Sequence, residues 1–247
     1  MYSNGYIFRY AAILVIIAAA LLSTAAMMLK PFQERNMAIE KMGSILASAN
    51  VKNIDKEVMI DRFNEFVTEA LVINQDGKVI ESLTEGEKEN GKAFNINMKE
   101  QLYRKANGID YELPIYKIDD KGKTIYIFPL YGTGLWGPIW GNIALSEDLN
   151  TVVGVTFDHK GETPGLGAEI ATSAFEDQFT DTVKKIFDDN NQFTSIAVVK
   201  GGVKKLPESQ RIHGVDAISG GTITSNGVND MLKNVLESYV PYIEKQK

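Results

Sequence analysis

The sequence predicts one membrane-spanning helix followed by a single mixed α+β domain, and three observations carry that expectation. Tyr10 to Leu29 is a run of 20 residues without a charge, and at about 1.5 Å of rise per residue such a helix covers the roughly 30 Å hydrocarbon core of a bilayer. The remainder of the chain holds all 32 acidic residues and mixes short β-branched runs with amphipathic stretches in no strict βαβ rhythm, the pattern of an α+β domain. With 247 residues, 44% of them hydrophobic and 23% charged, the chain has ample material for a core.

Taken in order, residues 1–9 read as a short tail and residues 10–29 as the span, fenced by Arg9 and Lys30 with Tyr6 and Tyr10 at one interface. A cleaved signal peptide has an apolar segment of about 7–15 residues, shorter than this one, so the span is read as an uncleaved anchor. It contains no Asp, Glu, Lys, Arg or His and by itself cannot conduct an ion. Arg9 lies before it and Lys30, Arg35 and Lys41 soon after. That count taken alone keeps the body in the cytoplasm, but the rule weakens beside a long domain, and orientation stays open at this point.

In the body, Met59, Phe63, Phe66, Val67 and Ala70 recur at helical spacing after a cap at Asp55. Strand-like runs follow at Ala70 to Ile73, before an Asp76-Gly77 turn, and at Lys123 to Leu130, Thr151 to Phe157 and Ser195 to Val199. The Glu-rich stretch from Glu81 to Lys92 reads as a surface loop. Phe175, Phe179, Val183, Ile186 and Phe187 suggest an amphipathic helix. Val228, Met231, Leu232, Val235, Leu236 and Tyr239 form the clearest stripe, that of a closing helix.

Composition narrows the chemistry. The chain has no cysteine, which excludes disulfides, thiolate metal sites and a cysteine nucleophile. Its two histidines, His159 and His213, cannot build a multi-histidine centre, and neither is assigned a role. A net charge of −6 argues against a nucleic-acid surface.

Three segments depart from ordinary core-and-loop statistics. Asp216-Ala-Ile-Ser-Gly-Gly-Thr222-Ile-Thr-Ser225 places two glycines and several hydroxyls at the entrance of the last helix. Such an entrance suits an anion, because its first-turn N–H groups lack partners and the helix dipole favours negative charge; a plain capping loop with Ser225 or Thr224 as N-cap has the same pattern. Gly161-Glu-Thr-Pro-Gly-Leu-Gly-Ala-Glu169 reads as a turn on Pro164 and Gly165, either bland or presenting bare amides to a flat ligand. Tyr131-Gly-Thr-Gly-Leu-Trp-Gly-Pro-Ile-Trp-Gly141 carries both tryptophans of the chain and suits either stacking on a planar cofactor or a glycine-bent strand with core tryptophans.

Together the N-terminal span, GTGLWGPIWG, ETPGLGAEI and DAISGGTITSNGV resemble, over essentially the whole chain, the NqrC family, the C subunits of the bacterial sodium-translocating NADH:quinone oxidoreductases. A more distant likeness is to the G subunit of the Rnf complex. The family's flavinylation pattern (Asp, two free positions, Ser or Thr, Gly, Ala, Thr) falls on Asp216, Ser219, Gly220, Gly221 and Thr222, with Gly221 in place of the usual alanine.

The resemblance implies a covalent FMN ester-linked through its phosphate to Thr222. A separate flavin transferase attaches it from FAD with Mg²⁺. It implies that Ser219, Gly220, Gly221 and Thr224 line the phosphate, while Asp216 binds the maturation Mg²⁺, orients the loop or simply caps a turn. Thr163, Gly165 and Leu166 are expected to contact the isoalloxazine through backbone amides and an apolar side chain. Leu135 and Trp136 are expected to cover another part of it, and Lys200 to stand near its polar edge. Glu162 and Glu169 are expected to be solvated or structural. The FMN-binding region is expected at about residues 124–240 of an extracytoplasmic domain spanning 30–247, on the periplasmic side of the inner membrane. The implied function is electron relay between other subunits of a membrane NADH:quinone reductase complex. The alternative is a free-standing anchored flavoprotein or Rnf-type subunit for extracytoplasmic electron transfer.

Overall fold

The computed structural model describes residues 3–247. The chain forms two compact units, one ending at Lys41 and the other running from Met42 to Lys247. In the first, helix α1 (Asn4–Ser48) begins inside the expected tail and continues without interruption past the expected span. Helical bounds wider than the apolar run follow from flanks rich in helix-compatible residues, whose Gly5, Pro31 and Gly43 the helix absorbs. Among the described residues α1 is the one helix long and apolar enough to cross a membrane.

The second unit begins with the last turns of α1, whose Met42, Ile45 and Leu46 are buried. There follow α2 (Met59–Phe66), β1 (Val67–Asn74), β2 (Val79–Leu83), α3 (Lys92–Asn95), α4 (Met98–Ala106), β3 (Glu112–Asp120), β4 (Lys123–Thr133), β5 (Pro138–Leu145), β6 (Val152–His159), α5 (Ser173–Glu176), β7 (Ala197–Val199), β8 (Gly214–Asp216) and α6 (Thr222–Gln246). The first six strands form one antiparallel sheet in the order β2-β1-β3-β4-β5-β6, and β7 pairs with β8 in parallel. The domain is thus α+β, as expected.

Period-2 alternation sorts the strand residues between the two faces. Leu113, Ile115, Phe128, Leu130, Ile139 and Ile143 share one core cluster with Val228, Leu232, Val235, Leu236 and Tyr239 of α6. On the other face Tyr116 packs edge-on against Phe63 of α2, which in turn meets Phe94 of α3. Ser44 in the last turns of α1 bonds Asn142 and Thr156 of β5 and β6.

Several expected elements have different bounds. The helix expected through Ala70 stops at Phe66, because Val67 enters β1 and pairs with Ile118. The Glu-rich loop begins as the edge strand β2, with Leu83 opposite Ala70. The expected helix over Phe175 to Phe187 is two separate burials. Phe175 and Phe179 close on Phe157 from α5 and a following 3₁₀ turn, whereas Phe187 bridges to Phe193 in a later loop and Val183 faces outward. Spacing alone could not separate one stripe from two short contacts.

Besides its apolar stripe, helix α6 has a buried polar tie to the sheet. The β3–β4 pairing ends at Tyr116–Ile127; beyond it lie Pro114 of β3 and Pro129 of β4, neither of which has an N–H to give. The wholly buried Tyr239 hydroxyl lies 3.1 Å from both of their carbonyl oxygens. Tyr239→Phe leaves both acceptors buried without this donor, and is expected to cost about 1–3 kcal/mol of folding stability, read as a lowered midpoint in thermal or urea unfolding.

Candidate functional site

The three unusual segments are far apart in sequence and adjacent in space. Residues Gly134 to Gly137 form the turn between β4 and β5, closed by the Gly134 N–H donating to the Gly137 carbonyl at 2.8 Å. The turn lifts Leu135 and Trp136 into solvent, with Trp136 67% exposed. Of the two readings of this segment, the glycine-bent strand holds for its flanks, where Trp140 pairs with Tyr131 and is half-buried. The tip, by contrast, offers its indole outward.

The second segment makes the expected turn. Leu166 N–H donates to the Thr163 carbonyl at 3.1 Å, and Gly165 takes φ = 75° at the position that needs it. Two of the amides expected to face a ligand have partners within the loop. Gly165 N–H donates to the Glu169 carboxylate at 2.8 Å, and Leu166 N–H is the turn bond itself. What this loop presents outward is the exposed Leu166 side chain and the Thr163 hydroxyl, which accepts from the Trp136 indole Nε1 at 3.2 Å.

The third segment leads into α6. Gly220 is in the left-handed region at φ = 78°, and the helix starts at Thr222 with Gly221 as N-cap. Ser225 and Thr224 are therefore not the cap but buried residues of the first turns. The Ser225 hydroxyl accepts from Ile218 N–H at 3.1 Å, and the Thr224 hydroxyl donates to Glu162 Oε2 at 2.6 Å. Thr224 thus points inward, and only its backbone remains at the helix entrance. That entrance has no side-chain cap and no acidic residue in its first turn, so it retains the unmatched N–H groups and positive dipole end that favour an anion.

Beside this entrance opens a cleft of about 430 Å³, lined among others by Lys200, Lys205, Asp216, Ser219, Gly220 and Thr222. Asp216 acts as a turn cap. Its Oδ1 accepts from Val203 N–H at 2.5 Å, and its own N–H donates to Gln178 Oε1 at 2.8 Å. Nearby, burial lowers the Lys184 ammonium pKa, with the charge of Asp216 opposing the shift. Leu166 closes the flank: a side chain at Gly220 would put its Cβ 2.6 Å from Leu166 Cδ2. Ile223, exposed in the first turn of α6, extends the apolar rim.

Lys205, Ile223 and Glu162 belong to this region and were not singled out as contacts from sequence. Glu162 is buried rather than solvated. Its Oε1 accepts from Trp136 N–H at 2.8 Å while Oε2 takes the Thr224 hydroxyl, so one carboxylate joins all three segments. A glycine-walled carboxylate leaves no periodic signal that a sequence could show.

A lysine-lined cleft at an uncapped helix entrance, with exposed Leu166 on its flank and the exposed Trp136 indole bonded to the same loop as Leu166, has the donor set of a site for a phosphate carrying a flat apolar ring. The FMN-binding domain family model matches residues 134–237, which contain the Gly161 to Glu169 and Asp216 to Ser225 segments whole and the Gly134 to Gly141 part of the remaining one. The C subunit of the Na⁺-translocating NADH-quinone reductase of Vibrio parahaemolyticus is 33% identical over 230 residues, covering 87% of this chain and 84% of its own length. This chain belongs to that family, NqrC. The Neisseria meningitidis relative of the same name is 30% identical and covers 94% of the chain and 90% of itself. The crystal structure of the NqrC protein from Parabacteroides distasonis superposes with a TM-score of 0.72 at 39% identity, covering 87% of this chain and 96% of that one.

Within the NqrC fold seen here, Gly221 has room for the family's usual alanine only by a small adjustment. Its Cβ would stand 3.1 Å from Ile218 Cγ2 and 3.2 Å from the Leu166 carbonyl. Gly220 differs, because both its φ and the contact with Leu166 oppose any side chain. Gly221→Ala is accordingly expected to unfold within a few degrees of the parent. Gly220→Ala is expected to lose about 1–2 kcal/mol; parallel thermal unfolding of the two proteins checks the contrast.

Proposed function

We propose that this chain is an electron-transfer subunit of a sodium-pumping NADH:quinone reductase and carries FMN as a phosphate ester on Thr222. The observation that carries this reading is the position of Thr222. It is the first residue of an uncapped helix, half-buried, and on the wall of a cleft shared with Lys200 and Lys205. Membership in the NqrC family and the match of the FMN-binding domain model support it.

In this reading Thr222 Oγ would attack the flavin-side phosphorus of FAD on a flavin transferase, its new O–P bond replacing the pyrophosphate P–O bond, with AMP as the leaving group taking up the proton that Thr222 loses. The first-turn N–H groups of α6 hold the ester phosphate, which keeps a negative charge, and Ser219 and Gly220 leave its approach open. Lys200 and Lys205 balance charge at the cleft. Leu166, Leu135 and Trp136 shield an apolar face from water. When bound, the flavin supplies the reversible electron chemistry that a chain without cysteine or a multi-histidine centre does not provide. The residues named here supply attachment, orientation and electrostatics. Other subunits of the complex are the electron donor and acceptor, and the ion path lies in them, since the span of α1 has no Asp, Glu, Lys, Arg or His. Helix α1 anchors the chain in the inner membrane with the body on the periplasmic side.

Two outcomes test the reading. Thr222→Ala is expected to abolish flavin fluorescence in a denaturing gel while the far-UV circular dichroism stays that of the parent; a fluorescent band in the variant would place attachment elsewhere. A phosphatase fused after Lys247 is expected to be active, and a reporter that works only in the cytoplasm inactive at the same place.

A further inference from the structure

The residue that joins the three segments is itself a buried carboxyl group. Glu162 is 5% exposed, and among the described residues no lysine or arginine forms an ion pair with it. A buried carboxylate without a cation is costly unless its oxygens accept hydrogen bonds. Here each oxygen has a specific donor: Oε1 receives the backbone N–H of Trp136, at the tip of the β4–β5 turn, and Oε2 receives the hydroxyl of Thr224, two residues beyond Thr222.

The space for this arrangement is made by two glycines. A Cβ on Gly134 would lie 2.6 Å from Glu162 Oε1, and one on Gly167 would collide with Oε2 and with the Thr224 hydroxyl. The far end of the same bridge is also fixed, because the Trp136 indole donates to Thr163 Oγ1, one residue after Glu162. The indole itself is largely exposed, so packing does not hold it in place; these bonds do.

We propose that Glu162 is a positioning residue for the flavin site, its carboxylate locking the Trp136 turn to the first turn of α6 and so fixing where the indole stands relative to Thr222. The inference rests on the reading of Thr222 as the flavin-bearing residue. A packing role alone would be met by any side chain of the right volume. A positioning role requires a group that bonds a backbone N–H on one side and a hydroxyl on the other. Glutamine meets that need, with its carbonyl oxygen on Trp136 N–H and its amide donating to the Thr224 hydroxyl. Alanine does not.

The test uses the full-length chain in detergent, both flavin-bearing and flavin-free, in a Trp140→Phe background so that Trp136 is the sole tryptophan. Glu162→Ala and Thr224→Val are expected to lower the steady-state fluorescence anisotropy of Trp136 in the flavin-free protein. Both should also change the visible circular dichroism of the flavin in the flavin-bearing one. Glu162→Gln is expected to restore both signals to the parent values. Parent anisotropy and parent flavin dichroism in a folded Glu162→Ala protein would overturn the proposal, as would a Glu162→Gln protein indistinguishable from Glu162→Ala. If Glu162→Ala does not fold, Thr224→Val, which removes one hydrogen bond at nearly constant volume, decides by the same two readouts. A parent protein without flavin would count against the reading of Thr222, while the anisotropy of the flavin-free variants would still decide the role of Glu162.

Discussion

The close seating of helix α6 on strand β4 and its neighbour β3 is the constraint on which the rest of the structure depends. Two features enforce it. The Tyr239 hydroxyl serves the carbonyls of Pro114 and Pro129, where proline deprives the central ladder of its donors. Near the other end of the contact, Gly227 lies against the Thr133 carbonyl and Gly132 against Met231, whose Cβ would stand 2.8 Å from any Cβ placed on Gly132. With both ends fixed, the N-terminus of α6 has one place to be, beside the turn that carries Trp136. The location of Thr222 is thus a consequence of core packing that extends to Tyr239, roughly five turns along the helix.

Around that fixed point the cleft region is assembled mostly from absences of side chain. Gly134 and Gly167 make room for the Glu162 carboxylate, and Gly220 makes room for Leu166. Bulk returns only at the rim, as Leu135, Trp136, Leu166 and Ile223, all exposed. The electrostatics follow the same logic. The helix entrance has no side-chain cap and no acidic residue in its first turn, and Asp216, the carboxylate of the motif on the cleft wall, is already engaged by the Val203 N–H. A site arranged this way accepts an anion at one end and an apolar plate at the other, in a chain whose net charge is −6.

How far the sequence foretold this depends on the range of the interaction concerned. The apolar run of α1 and the stripe of α6 are local periodicities, and both were legible, as were the strands at Lys123 to Leu130 and Thr151 to Phe157. The Thr163 to Leu166 turn was legible as well, because proline and glycine declare their backbone angles. Interactions between segments were not. Nothing in the local pattern says that Thr224 and Ser225 turn inward instead of capping, since that depends on Glu162 and on the Ile218 amide. The amides of Gly165 and Leu166 looked free because the partners that occupy them, Glu169 and the Thr163 carbonyl, are settled only once the loop closes. The helix expected over Phe175 to Phe187 failed for the same reason. Its aromatic spacing records two different partners, Phe157 and Phe193.

The peptide that contains Thr222 offers the most direct test of covalent attachment. Trypsin should release Ile212 to Lys233 as one piece, since no lysine or arginine lies between them and Arg211 precedes them. Fragmentation mass spectrometry of this peptide from the native protein is predicted to show the mass of one FMN less one water, localised on Thr222. An unmodified Ile212 to Lys233 peptide, from protein that nonetheless carries flavin, would contradict attachment at Thr222.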